Sequence, residues 1–321
     1  AFKTPPGVIR PKPGPDIAQM WHYEGVRGLR TGASRLEFTM SSQENQPGPT
    51  LYGGVRRGRI SITDLIHAKT RGERWPMITA YDALTAKIFD EAGFPAILVG
   101  DSAAMVVYGY DSTIPVTVDE LIPLTRAVVR GSSRALVIAD LPFGSYQSSV
   151  MQAVDTATRF MKEAGAHAVK LEGGQRILPQ AEALVAAGIP VIGHLGLTPQ
   201  SVNVLGGYRV QGRGESGEKL LQDAKSLAAV GVSAIVLECV PAELATRVTA
   251  ALPIPTIGIG AGGGTDAQVL VWQDLCGLTD DPAPKFVPRY ADTRGVIADA
   301  VARWAEDVRS GHYPDSSHTY Q

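Results

Sequence analysis

Ala135-Leu-Val-Ile-Ala-Asp140 is an apolar run that ends in a carboxylate, and three other segments of the chain share this design. They are Ala96-Ile-Leu-Val-Gly-Asp101, Ala168-Val-Lys-Leu-Glu172 and Ala234-Ile-Val-Leu-Glu238. Each run is predicted to be a parallel strand buried on both faces, because its apolar residues follow one another with little polar alternation. A carboxylate at the end of such a strand has no packing role. Four of them at one edge would form an acidic pocket suited to a divalent metal and a general base.

Predicted strands and helices alternate from Met77 onward, and the last strand is assigned to residues 269–273. Several helices end in Ala-Gly just before a strand, as at Ala92-Gly93, where glycine supplies the left-handed turn that stops a helix. This rhythm predicts an α/β fold closed as a (β/α)8 TIM barrel, with the active site at the C-terminal ends of the strands. The competing architecture is a doubly wound open sheet. Against it, no glycine-rich phosphate-binding turn follows the first strand, and the polar strand ends are spread over many strands.

The chain is predicted to have two regions. Residues 1–58 are rich in proline and show little periodicity, so we predict a flexible N-terminal extension. Residues 59–321 are predicted to form the catalytic barrel domain, which closes with an amphipathic helix over residues 291–304.

Composition excludes some partners. The 321-residue chain carries 30 Lys and Arg against 32 Asp and Glu, a net charge of -2, so neither nucleic acid nor an anionic membrane is expected to bind it. Its two cysteines, Cys239 and Cys276, are too few and too far apart for a disulfide framework or a zinc site. We expect reduced thiols and therefore a cytoplasmic setting, with small-molecule substrates.

The acidic strand ends are the first candidate site residues. Asp101, Asp140 and Glu172 are candidate Mg²⁺ ligands, because hard oxygen donors from separate strands suit this ion. Any one of them could instead cap a helix or pair with a basic loop. Glu238 lies on a later strand and is a candidate general base, with an ion pair at the barrel rim as the alternative.

Three further residues are candidate substrate contacts. Lys170 shares a strand face with Glu172 and could be a Schiff-base nucleophile, a cationic partner for an anionic substrate, or part of a structural ion pair. Ser102 could hold a substrate carboxylate or cap the next helix. His194 could donate to a substrate carbonyl or be a structural histidine. Together the residues predict metal-assisted enolate chemistry on a small anionic substrate.

Several strings, in order along the chain, resemble the ketopantoate hydroxymethyltransferase (3-methyl-2-oxobutanoate hydroxymethyltransferase) family. The resemblance extends from about Gly58 to about Asp292. It rests on Thr79-Ala-Tyr-Asp82, Val99-Gly-Asp-Ser102, Ala139-Asp-Leu-Pro-Phe-Gly-Ser-Tyr146, Val169-Lys-Leu-Glu-Gly-Gly174, Gly193-His-Leu-Gly-Leu-Thr-Pro-Gln200, Gly207-Tyr-Arg-Val-Gln-Gly-Arg213, Leu237-Glu-Cys-Val-Pro241 and Ile257-Gly-Ile-Gly-Ala-Gly262.

The resemblance implies a fold, a reaction and an assembly. The family has a (β/α)8 barrel of the phosphoenolpyruvate/pyruvate type, assembled as a decamer. It moves a one-carbon unit from 5,10-methylenetetrahydrofolate to 3-methyl-2-oxobutanoate, which gives 2-dehydropantoate for pantothenate and coenzyme A synthesis.

The resemblance also implies residue roles. Asp101, Asp140 and Glu172 look like Mg²⁺ ligands, and Glu238 looks like the base that takes the C3 proton. The oxo-acid contacts look like Asp101, Ser102, Asp140 and Lys170, with His194 as an auxiliary contact.

The chain departs from the family pattern at Ala267, where a glycine is usual, and at Pro288, which replaces a basic residue. Two rival functions stay open. One is a metal-dependent carbon–carbon lyase of the same barrel superfamily acting on a 2-oxo or 2-hydroxy acid, and the other is a catalytically silent scaffold. Buried acids that a silent barrel would not need argue against the scaffold.

Overall fold

The computed structural model describes residues 50–52, 58–279 and 283–320, all of which belong to one compact unit. Eight parallel strands pair in chain order, and the last pairs with the first, so the sheet is closed. The predicted (β/α)8 barrel is confirmed. The strands are β1 Trp75–Thr79, β2 Ala96–Val99, β3 Leu136–Asp140, β4 Ala168–Glu172, β5 Val191–Gly196, β6 Ala234–Glu238, β7 Thr256–Ile259 and β8 Ala267–Leu270.

Helices precede, separate and follow the strands along the chain. They are α1 Ile62–Thr70, α2 Ala83–Glu91, α3 Ala103–Val106, α4 Val118–Gly131, α5 Val150–Arg159, α6 Leu178–Ala186, α7 Val202–Leu205, α8 Glu215–Ala229, α9 Ala242–Ala251, α10 Trp272–Leu275 and α11 Thr293–Ser310. A π-helical turn over Phe160–Ala164 extends α5. Residues 260–266, which connect β7 to β8, contain no helix, so one of the eight strand–helix units lacks its helix.

Side-chain alternation along the strands separates two cores. Leu136 and Ile138 of β3 point into the barrel, as do Ala168 of β4 and Ile192 of β5. The residues between them, such as Val137, pack outward against the helices. Because the period of a strand is two, the next inward positions towards the C-terminal end are those of Asp140, Lys170, Glu172 and His194.

The end of β8 was predicted wrongly. The apolar run Val269-Leu-Val-Trp suggested a strand to residue 273, but the strand ends at Leu270 and α10 begins at Trp272. The backbone N–H of Trp272 donates to Thr79 Oγ1 at 3.2 Å, and its ring lies 6.2 Å from that of Phe89. These contacts turn the chain out of the barrel one residue after the strand. The predicted helix at the C-terminal end, residues 291–304, is α11, which begins later, at Thr293, and ends later, at Ser310.

Only residues 50–52 and 58 of the predicted extension 1–58 fall within the described residues, so the prediction that it is flexible stays a prediction. Leu51 is fully buried, and its backbone N–H donates to Glu73 Oε1 at 2.8 Å. It packs with Ile60 and Leu65 in the cluster that fills the barrel. Within the described ranges, no helix is both long and apolar enough to cross a membrane.

Candidate active site

The C-terminal ends of β2 to β6 bring all of the predicted site residues into one cavity. Its volume is about 390 Å³. The predicted residues that line it are Asp101, Ser102, Asp140, Lys170, Glu172, His194 and Glu238. Strand register explains part of this convergence, because Asp140 lies beside Lys170 and Glu172 lies beside His194 on neighbouring strands. The acidic pocket predicted from the strand ends is therefore present.

Lys170 is the central cation of the cavity. Its ammonium lies 2.8 Å from Asp140 Oδ1 and 3.9 Å from Glu172 Oε1, and its side chain is 4% exposed. Burial alone would lower its pKa, but the carboxylates of Asp140, Glu172 and Asp101 raise it above its usual value. The side chain therefore stays charged. A neutral amine is what Schiff-base chemistry needs, so the charged state favours the role of cationic partner.

His194 connects the buried acids to the candidate base. Its Nδ1 is 3.2 Å from Glu172 Oε1, and its Nε2 is 3.2 Å from Glu238 Oε2. Burial and Lys170 lower its pKa, but the two carboxylates prevail and raise the pKa to about 9. Its Nδ1 also lies 3.1 Å from Lys170 Nζ, and its Nε2 makes no hydrogen bond of good geometry, so the two acids attract His194 mainly through charge. Glu238 itself is 17% exposed, so it is the acid that faces the open part of the cavity.

The acids of β2 and β3 are held close together. The backbone N–H of Asp101 donates to Asp140 Oδ2 at 2.9 Å. Burial, followed by repulsion from Asp140 and Glu172, raises the pKa of Asp101 well above its usual value. Burial also raises the pKa of Asp140, although Lys170 opposes this. Glu172 differs, since His194 and Lys170 outweigh burial and lower its pKa.

Ser102 does not cap the following helix. It stands at the N-cap position of α3 but makes no capping hydrogen bond. Its hydroxyl lies 2.8 Å from the hydroxyl of the buried Tyr81. The capping alternative is therefore wrong, and the serine faces the cavity with Tyr81 behind it.

The donor set suits a hard cation such as Mg²⁺. Asp140 Oδ1 and Glu172 Oε1 are buried, and although a cationic group lies close to each, neither accepts a hydrogen bond of good geometry. Yet across the described ranges, no group of three or more His, Cys, Asp or Glu side chains is arranged to hold one ion directly. Mg²⁺ commonly takes only one or two carboxylates and keeps several waters. The residues fit such a hydrated ion better than a closed cage of three carboxylates.

Apolar side chains form much of the rest of the cavity wall, although Thr113, Arg209 and Asp274 also line it. The apolar side chains come from β6, β7 and the chain beyond β8, and include Val236, Ile259, Val271, Phe286 and Val287. An apolar wall facing an acidic, lysine-bearing wall accommodates a small molecule with a carboxylate at one end and an alkyl group at the other. The two departures from the family pattern lie outside this cavity. Ala267 is buried at the N-terminal end of β8, and Pro288 does not line the cavity.

Sequence reasoning missed three residues of the site. Tyr81 supports Ser102. Gln200 and Tyr146 are buried and contact the acidic strand ends. All three lie in strings quoted for the family resemblance, but their roles depend on contacts between residues far apart in the chain. No local spacing signals such contacts.

Comparisons with known proteins agree with this geometry. The sequence profile of the ketopantoate hydroxymethyltransferase family matches residues 59–316. The chain is 64% identical over 275 residues to 3-methyl-2-oxobutanoate hydroxymethyltransferase of Thermobifida fusca, which covers 85% of this chain and 98% of that protein. It is 63% identical over 277 residues to the protein of the same name from Frankia alni, and the alignment covers 84% of this chain and 91% of that protein.

A solved structure of 2,3-dimethylmalate lyase, a member of the PEP mutase/isocitrate lyase superfamily, has the same fold. It superposes with a TM-score of 0.51 at 17% identity and covers 81% of this chain and 91% of that one. The likeness confirms the predicted type of barrel, and at this identity it bears on the fold alone.

Proposed function

Because the chain belongs to the ketopantoate hydroxymethyltransferase family, we propose that it transfers a hydroxymethyl group to 3-methyl-2-oxobutanoate and forms 2-dehydropantoate. The family match over residues 59–316 confirms the resemblance predicted from the sequence. The enzyme class is that of the relatives' name, 3-methyl-2-oxobutanoate hydroxymethyltransferase. The observation that carries the proposed reaction is the meeting of Lys170, the acidic strand ends and Glu238 in one cavity.

We propose that one side of the cavity binds the oxo acid. Asp101, Asp140 and Glu172 would hold Mg²⁺, in part through water, and the ion would supply positive charge that makes the C3 proton of a 2-oxo acid more acidic. The ammonium of Lys170 would attract the substrate carboxylate, and the Ser102 hydroxyl would donate to it. The apolar wall would pack against the isopropyl group of the substrate.

We propose Glu238 as the base that removes the C3 proton. Glu238 is more exposed than Asp101, Asp140 and Glu172, and it contacts His194 and not the Lys170 ammonium. His194, whose Nε2 lies 3.2 Å from Glu238 Oε2, would hold the Glu238 side chain in place. The resulting enolate carbon would then form a bond to the one-carbon unit, with water supplying the hydroxyl oxygen and tetrahydrofolate leaving.

The one-carbon donor and the assembly are proposals from the family alone, and the location is a proposal from the two reduced cysteines. We propose 5,10-methylenetetrahydrofolate as the donor and the open, apolar side of the cavity as the side from which it approaches Glu238. A homodecamer and a cytoplasmic location remain predictions.

The lyase alternative is less well supported. 2,3-Dimethylmalate lyase shares the barrel at 17% identity, whereas relatives above 60% identity carry the transferase name. We therefore retain the transferase as the proposed function. A requirement for the folate donor in product formation would separate the two activities.

Glu238→Gln tests the proposed chemistry without using the folate. The amide keeps the size of the side chain and its contact with His194, but it cannot accept a proton as a carboxylate does. We expect solvent deuterium to enter C3 of 3-methyl-2-oxobutanoate at least about 100-fold more slowly than in the wild type, measured by proton NMR. Binding of the oxo acid should stay within a few-fold of wild type. Exchange at the wild-type rate would show that another group is the base.

A further inference from the structure

Gln200 contacts the exits of three acidic strands at once. Its backbone N–H donates to Glu172 Oε2 at 3.0 Å, at the end of β4. Its side-chain Nε2 donates to Asp101 Oδ2 at 2.9 Å, just after β2, and to the carbonyl oxygen of Leu141 at 2.9 Å, just after β3. The residue is 4% exposed. It lies in the short helical turn Pro199–Ser201 after β5, so one loop residue joins the ends of three other strands.

The orientation of the Gln200 amide is fixed from behind. Its Oε1 accepts from the Tyr146 hydroxyl at 2.7 Å and from Gln147 Nε2 at 3.1 Å. The single hydrogen of the Tyr146 hydroxyl is donated to Gln200 Oε1, and the hydroxyl oxygen accepts from the backbone N–H of Glu172 at 3.0 Å. Tyr146 is fully buried. With two donors at Oε1, the amide nitrogen points towards Asp101 Oδ2 and the carbonyl oxygen of Leu141.

The pattern of occupied and free oxygens is selective. Gln200 binds Oδ2 of Asp101 and Oε2 of Glu172, whereas Glu172 Oε1 is buried 3.2 Å from His194 Nδ1 without a hydrogen bond of good geometry. A carboxylate held through one oxygen presents the other in a fixed direction. Groups that hold metal ligands in this way determine how well those ligands bind a metal.

We infer that Gln200 is a positioning residue that orients Asp101 and Glu172 towards a divalent cation. The inference deepens the proposed function and rests on its metal site. Gln200 does not line the cavity itself, so it would act through the two acids and not on the substrate. Its removal is expected to weaken metal binding by 10- to 100-fold, the range found when residues supporting metal ligands are changed.

Binding of Mn²⁺, followed by the electron paramagnetic resonance signal of the free ion, tests the inference directly. Mn²⁺ is a suitable probe because oxygen ligands accept it in place of Mg²⁺. In Gln200→Met, which keeps the length of the side chain and removes its amide, we expect the Kd to rise at least about 10-fold. A Kd within about threefold of the wild type would overturn the inference.

Two further variants separate this role from general stability. Gln180 is also a buried glutamine, but its amide nitrogen reaches only the carbonyl oxygen of Tyr146, at 3.4 Å. Gln180→Met should therefore leave the Kd unchanged, and a loss equal to that of Gln200→Met would overturn the inference. Should Gln200→Met fail to fold, Gln200→Asn is judged by the same thresholds, since it keeps the backbone N–H and shortens the reach of the amide.

Asp140→Ala distinguishes failure of this inference from failure of the proposed function. It removes a proposed ligand and should weaken Mn²⁺ binding more than Gln200→Met does. If the wild type and Asp140→Ala bind alike, the metal site itself is wrong and the role of Gln200 falls with it. If Asp140→Ala loses binding but Gln200→Met does not, the metal site stands and only the role of Gln200 is overturned.

Discussion

Removing the charge of Lys170 should destabilise the whole barrel. The ammonium lies between the buried carboxylates of Asp140 and Glu172, at 2.8 and 3.9 Å. Lys170→Met keeps a long unbranched side chain but leaves these acids without their cation. Burial of an uncompensated charge is one of the few single changes that cost a protein several kcal/mol.

The expected magnitude follows from these distances. At an effective dielectric constant of about 20, the attraction of Lys170 to Asp140 is about 6 kcal/mol and that to Glu172 about 4 kcal/mol. The cost of removing the lysine from water offsets several kcal/mol of this. Because the acids stay buried in the variant, we expect a net loss of about 3–5 kcal/mol in the free energy of unfolding near neutral pH.

The loss should depend on pH in a defined direction. Burial already raises the pKa of Asp101 and of Asp140, and removal of Lys170 would raise both further. The acids of the variant can then take up protons in the folded state as the pH falls, which relieves the uncompensated charge. The destabilisation should therefore be largest at pH 8 and smaller at pH 5.

Urea unfolding followed by circular dichroism, at one protein concentration, measures both effects. Lys87→Met is the matched control, because Lys87 Nζ lies 3.8 Å from Glu91 Oε1 and both side chains are 67% exposed. An exposed pair contributes at most about 1 kcal/mol. The reasoning is refuted if Lys170→Met costs no more than Lys87→Met at pH 8, or if its cost does not change with pH.

Three other perturbations test the fold and its titration. Gly196→Ala should cost several kcal/mol in urea unfolding, because the φ of Gly196 is +95° and a Cβ would lie 2.2 Å from the Glu238 carbonyl oxygen. The control Gly188→Ala, at φ +80° with open space around the Cβ, should cost only about 1–2 kcal/mol. Equal losses in the two variants would contradict this. Cys239 has φ +48°, a conformation that asparagine adopts more easily than a β-branched residue. Cys239→Val should therefore lower the unfolding free energy by about 2 kcal/mol more than Cys239→Asn, and the opposite order would exclude backbone strain. Burial and a nearby arginine lower the pKa of His167 to about 4. The neutral imidazole therefore stabilises the fold above pH 6.5, and this contribution is lost as the pH falls towards 4. The difference in unfolding free energy between the wild type and His167→Asn should shrink over that range, and a constant difference would refute the assignment.

Much of the candidate site followed from local pattern. Ile138 and Asp140, or Lys170 and Glu172, are two residues apart on a strand, so a residue known to be inward places its partner on the same face. This periodicity, with the rule that active sites lie at the C-terminal ends of barrel strands, is sufficient to bring these side chains into one cavity.

Other features were beyond local pattern. The end of β8 was misplaced because Val271 and Trp272 continue an apolar run, and only the contacts of Trp272 with Thr79 and Phe89 show where the strand stops. Ser102 stands where a cap is common, but its hydroxyl contacts Tyr81. In each case a distant partner decided between two local possibilities.

The sequence by itself determined the parallel barrel, the end of the barrel that carries the acids and the family to which the chain belongs. These depend on periodicity and order along the chain, which a single sequence displays. Only the tertiary structure decided which atoms meet: Lys170 with Asp140, His194 between Glu172 and Glu238, and Gln200 across three strand ends. Closure of the sheet sets these contacts, because it fixes the distances between side chains that lie far apart in the chain.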